Sequence, residues 1–182
     1  MSARRILLLC CTLLTLSRPA PAELDSTEQQ IVAAINARQH EALTLLERSV
    51  NLNSGTLNLQ GVRAMGDLLR PEFDALGFDT RWIDGSAFGR AGHLVATHGD
   101  RGPHFLLIGH LDTVFETDSP FQTYEPLDQQ HARGPGTTDM KGGNVIILEL
   151  LHAFAAAGVL DEMTITVFLT GDEERSGRPL EL

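Results

Sequence analysis

Over residues 27–50, apolar side chains recur mostly at three- and four-residue steps, at Ile31, Ala34, Ile35, Ala42, Leu45 and Leu46. That spacing gathers them on one face of a 3.6-residue repeat and predicts an amphipathic helix. Asn51, Asn53, Ser54 and Gly55 interrupt it with turn-forming residues. A second helix is predicted over residues 59–76, through Val62, Met65, Leu69, Phe73 and Leu76, with Gly77 placed to end it. Pro71 lies inside this stretch and has no amide hydrogen to donate, so a kink or two shorter helices is expected there.

The period then falls to two. Phe78, Thr80 and Trp82 alternate with their neighbours over residues 78–83, and residues 94–97 form a further short strand candidate. Residues 105–108 are continuously apolar, as a strand buried on both faces would be. Residues 144–157 read as a helix with Gly158 beyond its end, and residues 163–169 as a second buried strand rich in β-branched side chains. Strands alternating with helices predict an α/β domain with a mainly parallel central sheet flanked by helices.

The first 22 residues stand outside this pattern. Arg4 and Arg5 precede an apolar run over residues 6–16, and Ala20-Pro21-Ala22 supplies the small-x-small sequence that signal peptidases cut. Residues 1–22 are therefore expected to be a cleaved signal peptide and residues 23–182 the mature chain, periplasmic or secreted. The run falls short of the roughly 20 apolar residues that cross a bilayer, so no stable membrane anchor is expected.

The leader carries three of the 14 basic residues and none of the 24 acidic ones, so its loss would move the net charge from -10 to -13. Such a surface repels phosphate backbones and excludes nucleic acid as the natural partner. Both cysteines, Cys10 and Cys11, lie in the leader. A mature chain without them has no disulfide, no thiol nucleophile and no thiolate metal ligand. Apolar content of 42% over 182 residues suits one modest globular domain.

Three short segments carry the candidate chemistry. Gly109-His110-Leu111-Asp112-Thr113-Val114 follows the apolar run at 105–108, Gly134 to Gly143 precedes the helix at 144–157, and Thr170-Gly171-Asp172-Glu173-Glu174 follows the run at 163–169. In open α/β sheets the loops at strand C-termini converge on a crevice where ligands bind. One imidazole with several carboxylates suits Zn²⁺, and equally Mn²⁺ or Co²⁺. Clustered carboxylates repel one another unless a cation neutralises them. His110, Asp139 and Glu174 are too few for a tetrahedral ion alone, whereas a carboxylate shared by two ions uses them efficiently. Glu173 is then the candidate general base, and Asp112 can hold the His110 tautomer from behind.

These motifs, with Asp172-Glu173-Glu174-Arg175-Ser176-Gly177 and the stretch from Val50 to Thr56, resemble the dinuclear-zinc exopeptidases and amidohydrolases. That family includes aminoacylase, acetylornithine deacetylase, succinyl-diaminopimelate desuccinylase and the carboxypeptidase G type glutamate carboxypeptidases. The resemblance implies that His110 ligates one zinc, Glu174 the other, and Asp139 both, with Glu173 as base and Asp112 orienting His110. It also implies a cis peptide after Asp139, and hydrolysis of an amide next to a free carboxylate in a small peptide or N-acyl amino acid. Family members carry a further acidic ligand, a late histidine and a smaller domain through which they dimerise. The chain is accordingly expected to be the N-terminal portion of the catalytic domain. The alternative expectation is a catalytically incompetent fragment or binding module that lacks the remaining ligands.

Other hydrolase classes lose their motifs. No Gly-x-Ser-x-Gly is present for a serine nucleophile, and no His-Glu-x-x-His for a single-zinc helix site. His40, His93, His98, His104, His131 and His152 read as structural or surface residues. Lys141 is expected to pair with an acid of the cleft.

Overall fold

The structure, a computed structural model, describes residues 23–177. The leader expected at residues 1–22 lies outside them. Among the described residues no helix is long and apolar enough to cross a membrane.

The helix expected over residues 27–50 is two helices. Helix α1 (Ser26–Ala37) starts at a capping box in which Asp25 Oδ1 accepts from the Glu28 amide and Glu28 Oε2 from the Asp25 amide, both at 2.8 Å. It ends at Arg38, and α2 (Gln39–Val50) follows directly. The break has a partner across the core side. Arg38 reaches Glu149 with two hydrogen bonds of 2.7 and 3.0 Å, a bidentate pair that periodicity cannot reveal.

Helix α3 (Leu59–Ala75) buries Val62, Met65, Leu69 and Phe73. It is one helix despite Pro71, which sits on its exposed side, where losing one helical hydrogen bond costs least. Gly77 closes it at φ 79°, in the left-handed region. The Phe78 amide donates back to the Phe73 carbonyl at 3.1 Å, and the two rings meet 5.8 Å apart, the apolar contact that accompanies this cap.

Strands β1 (Asp79–Asp84), β2 (Gly92–His98) and β3 (His104–His110) follow, then the two-residue strands β4 (Glu125–Pro126) and β5 (Ala132–Arg133). Helix α4 (Lys141–Ala156) leads to β6 (Thr164–Thr170). The main sheet has the order β1-β2-β6-β3, with β4 and β5 pairing apart from it. The α/β class and the helix-flanked central sheet are as expected. The sheet itself is mixed: β1–β2 and β2–β6 are antiparallel and β3–β6 is parallel. The reason is local, since β1 and β2 are joined by a short connection that only an antiparallel pair can use.

Burial alternates along β6, with Ile165, Val167 and Leu169 in one core with Leu94 and Ala96 of β2, Leu69 of α3, and Leu148 and Leu151 of α4. Strand β3 departs from expectation. Among the described residues it is one edge of the sheet, and Phe105, Leu106 and Ile108 are exposed rather than buried on both faces. An apolar run establishes what a strand could bury; its neighbours decide what it does bury.

Candidate metal centre

Because β3 and β6 are parallel and His110 lies opposite Thr170, both strands deliver their following turns to the same end of the sheet. The Leu111 amide ties them there, donating to the Thr170 carbonyl at 2.7 Å. The third segment arrives at the same place through the turn before α4, where the Asp139–Met140 peptide is cis, as the resemblance implies. His110, Asp112, Asp139, Glu173 and Glu174 are thereby brought together.

His110 is 4% exposed. Its Nδ1 lies 3.0 Å from the Asp112 carbonyl oxygen and 3.4 Å from Asp112 Oδ1, while Nε2 lies 3.0 Å from Asp139 Oδ1. A carbonyl oxygen only accepts, so Nδ1 carries a hydrogen and Nε2 is the atom presented to the cleft. Burial opposes the charged imidazole, but the Asp112 and Asp139 contacts outweigh it and lift its pKa to about 9. The Asp112 main chain lies closer to the ring than its carboxylate does.

The Asp112 carboxylate is fully buried. Burial pushes its pKa up, and the donors around it more than reverse this, so it stays below the usual carboxylate range. Oδ2 accepts from Thr56 Oγ1 at 2.7 Å and from the Glu174 amide at 3.1 Å, and Oδ1 accepts from the Glu173 amide at 3.1 Å.

Glu173 and Glu174 point back toward His110. One donor atom from each of the three lies within 4.8 Å of the others, a spacing that a single cation can span. Asp139 Oδ1, in direct contact with His110 Nε2, borders the same space. Burial and the nearby Asp139 and Glu173 charges raise the Glu174 pKa, the repulsion that a bound cation relieves. An oxygen-rich set with one imidazole and no thiolate fits Zn²⁺, Co²⁺ or Mn²⁺. Glu173, expected only as a base, thus also stands at ligand spacing with His110 and Glu174.

A cavity of about 490 Å³ opens beside Asp139 and Glu174, walled by Val114, Phe115, Phe121 and Arg133. The two rings meet edge to face at 5.1 Å, and Arg133 is held by Glu125 through bonds of 2.7 and 2.9 Å.

Three supporting residues escaped the motif reading. Asn144 Nδ2 donates to the His110 carbonyl at 2.7 Å, fixing the end of β3. A Cβ on Gly109 would lie 2.5 Å from Asn144 Oδ1, so this close approach requires glycine. His93 stacks on Phe168 and accepts the Gly171 amide at 3.2 Å, steadying the turn that leads to the two glutamates. Among the described residues Lys141 pairs with no acid. It is 1% exposed, donates to the Ser49 and Leu52 carbonyls at 2.8 and 2.7 Å, and its pKa falls to about 8 through burial. The ammonium group thus ties the last turn of α2 to the segment that follows it.

Residues 106–180, which include all five of these site residues, match the peptidase family M20/M25/M40. The chain belongs to this family. This M20 chain is 33% identical over 147 residues to carboxypeptidase G2 of Pseudomonas sp., covering 78% of the chain and 34% of that relative. Against the succinyl-diaminopimelate desuccinylase of Rhodospirillum centenum it is 30% identical over 114 residues, 59% of the chain and 30% of the relative. The chain thus spans about a third of the length of these M20 relatives. Its fold is similar to that of human carnosine dipeptidase 1, with a TM-score of 0.70 at 19% identity over 84% of the chain and 36% of that structure. The dipeptidase Dug1p of Saccharomyces cerevisiae gives a TM-score of 0.67 at 16% identity over 82% of the chain and 35% of that structure.

Proposed function

We propose that this chain supplies the metal-binding half of an exported M20 hydrolase that cleaves an amide or peptide bond next to a free carboxylate, most like a glutamate carboxypeptidase. The observation that carries this reading is the meeting of His110, Glu173 and Glu174 at ligand spacing, with Asp139 on His110 Nε2. His110, Asp139 and Glu174 would hold Zn²⁺, with Co²⁺ or Mn²⁺ as substitutes, and a second ion would share Asp139 and draw on ligands beyond these. The bound metal supplies charge that polarises the substrate carbonyl and acidifies water.

The remaining work falls to side chains. Glu173, mostly exposed and 4.0 Å from His110 Nε2, takes the proton of the attacking water and returns it to the amide nitrogen as the carbon–nitrogen bond breaks. Asp112 keeps the His110 ring and the two glutamates in register. The names of the relatives, a carboxypeptidase and a succinyl-diaminopimelate desuccinylase, support a peptidyl or acylated amino acid as substrate. A homodimer belongs to the full-length form under this reading, and the basic start and small-residue end of residues 1–22 support export.

The test is zinc stoichiometry together with hydrolysis of an N-acyl-glutamate by the 182-residue chain. Zinc held with turnover supports the proposal in full. Zinc held without turnover favours the alternative, a catalytically incompetent portion, and failure to hold zinc overturns the reading. Secretion with a new N-terminus at Glu23 tests the export component.

A further inference from the structure

We propose that Thr56 is a positioning residue for the metal centre: through Asp112 it sets the places of Glu173 and Glu174. The proposal rests on the hydrolase reading for the use of those glutamates, but the contact chain stands in the protein without metal.

The turn that carries the glutamates is held by side chains. Its Gly171 amide donates to His93, its Glu173 and Glu174 amides to Asp112, and its Gly177 amide to Asp172. Both glutamate amides thus depend on a single carboxylate, each on its own oxygen. The position of that carboxylate is the position of the pair.

What fixes Asp112 in turn is Thr56. Its hydroxyl makes the shortest of the bonds to that carboxylate, 2.7 Å to Oδ2. Thr56 is itself 1% exposed, and its amide donates to the Thr113 carbonyl at 3.2 Å. Thr113 donates back to the Ser54 carbonyl at 2.9 Å, and Gly55 bridges Thr113 in parallel. The segment at 54–56 is therefore a splint along Asp112 and Thr113, with the Thr56 hydroxyl aimed at the buried carboxylate. Without that hydroxyl, Oδ2 keeps only the Glu174 amide, and a carboxylate short of donors rotates to recover them. Rotation moves both amides together. Loss of an outer partner of this kind weakens metal affinity by about 10–100-fold in well-studied sites.

Thr56→Val keeps the shape and removes the hydroxyl; Thr56→Ser keeps the hydroxyl and removes a methyl. Amide proton shifts of Glu173 and Glu174 in the metal-free chain, and affinity for Zn²⁺ alone, are the readouts. Thr56→Val should move both amide signals upfield and weaken zinc roughly tenfold, while Thr56→Ser restores both. Unchanged signals and affinity in Thr56→Val, with only a lower melting temperature, would overturn the proposal by reducing Thr56 to a stability role. Should Thr56→Val not fold, the wild-type chain still decides. Couplings across the hydrogen bonds must connect the Asp112 side-chain carbon to the amides of Glu173 and Glu174, and their absence overturns the proposal. Because the shifts and couplings need no zinc, their outcome is separate from whether the centre is a hydrolase.

Discussion

Strands β3 and β6 lie side by side in parallel, read alike in the sequence, and end in the two halves of the same centre. Their surroundings differ completely. Leu169 of β6 is 1% exposed and Leu106 of β3 is 60% exposed. Among the described residues one strand has neighbours on both edges and the other on one. Yet the tip of β3 is anchored: Asn144 donates to the His110 carbonyl, the Leu111 amide donates to the Thr170 carbonyl, and His110 Nδ1 lies on the Asp112 carbonyl. Precision at the site comes from the strand ends and not from the strand bodies.

The contrast can be broken most sharply at the tips. His110→Ala should weaken zinc binding by more than about a hundredfold, beyond the loss of an outer partner, whereas His93→Ala should change it less than about tenfold, since His93 touches only the turn. Calorimetric titration of both variants checks this. A comparable loss in the two would place the ion elsewhere.

The strand bodies give the next largest effect. Leu169→Ala opens a cavity in the shared core and should cost about 2–5 kcal/mol. Leu106→Ala, at an exposed position, should stay within about 0.5 kcal/mol. Urea unfolding of the pair would remove the distinction if both fell together. Asp112→Asn should cost about 1–3 kcal/mol, because an amide group must present hydrogens to donors that now meet an acceptor. That loss is read as a drop in urea midpoint with unchanged slope. The smallest effect is expected at Ile108→Lys, neutral in stability within about 0.5 kcal/mol but raising the solubility of the chain, because a charge on an open edge opposes strand pairing between molecules.

Much of this was legible in the sequence. The strand β6 followed from its β-branched run, the apolar face of α3 from spacing, and the convergence of His110, Asp139, Glu173 and Glu174 from their places at strand and helix ends; the alternating burial of β6 did not. What escaped depended on distant partners. Nothing near Arg38 announces Glu149 as its partner at the helix break. Nothing near Lys141 announces the carbonyls of Ser49 and Leu52, some 90 residues earlier. Hydrophobicity identified β3 as a strand and could not say that it would be an edge. Thr56 lies in a turn-rich stretch whose composition suggests only a loop, and its value appears when Asp112 is brought against it.

The partners of the Asp112 carboxylate come from opposite ends of the described chain, at residue 56 and at residues 173 and 174. No local segment can assemble that arrangement early, and closing such long loops is slow. Ion capture should therefore be among the last abilities the polypeptide acquires during folding and among the first it surrenders under denaturant, which would make a coloured cobalt complex a sensitive reporter of complete tertiary assembly.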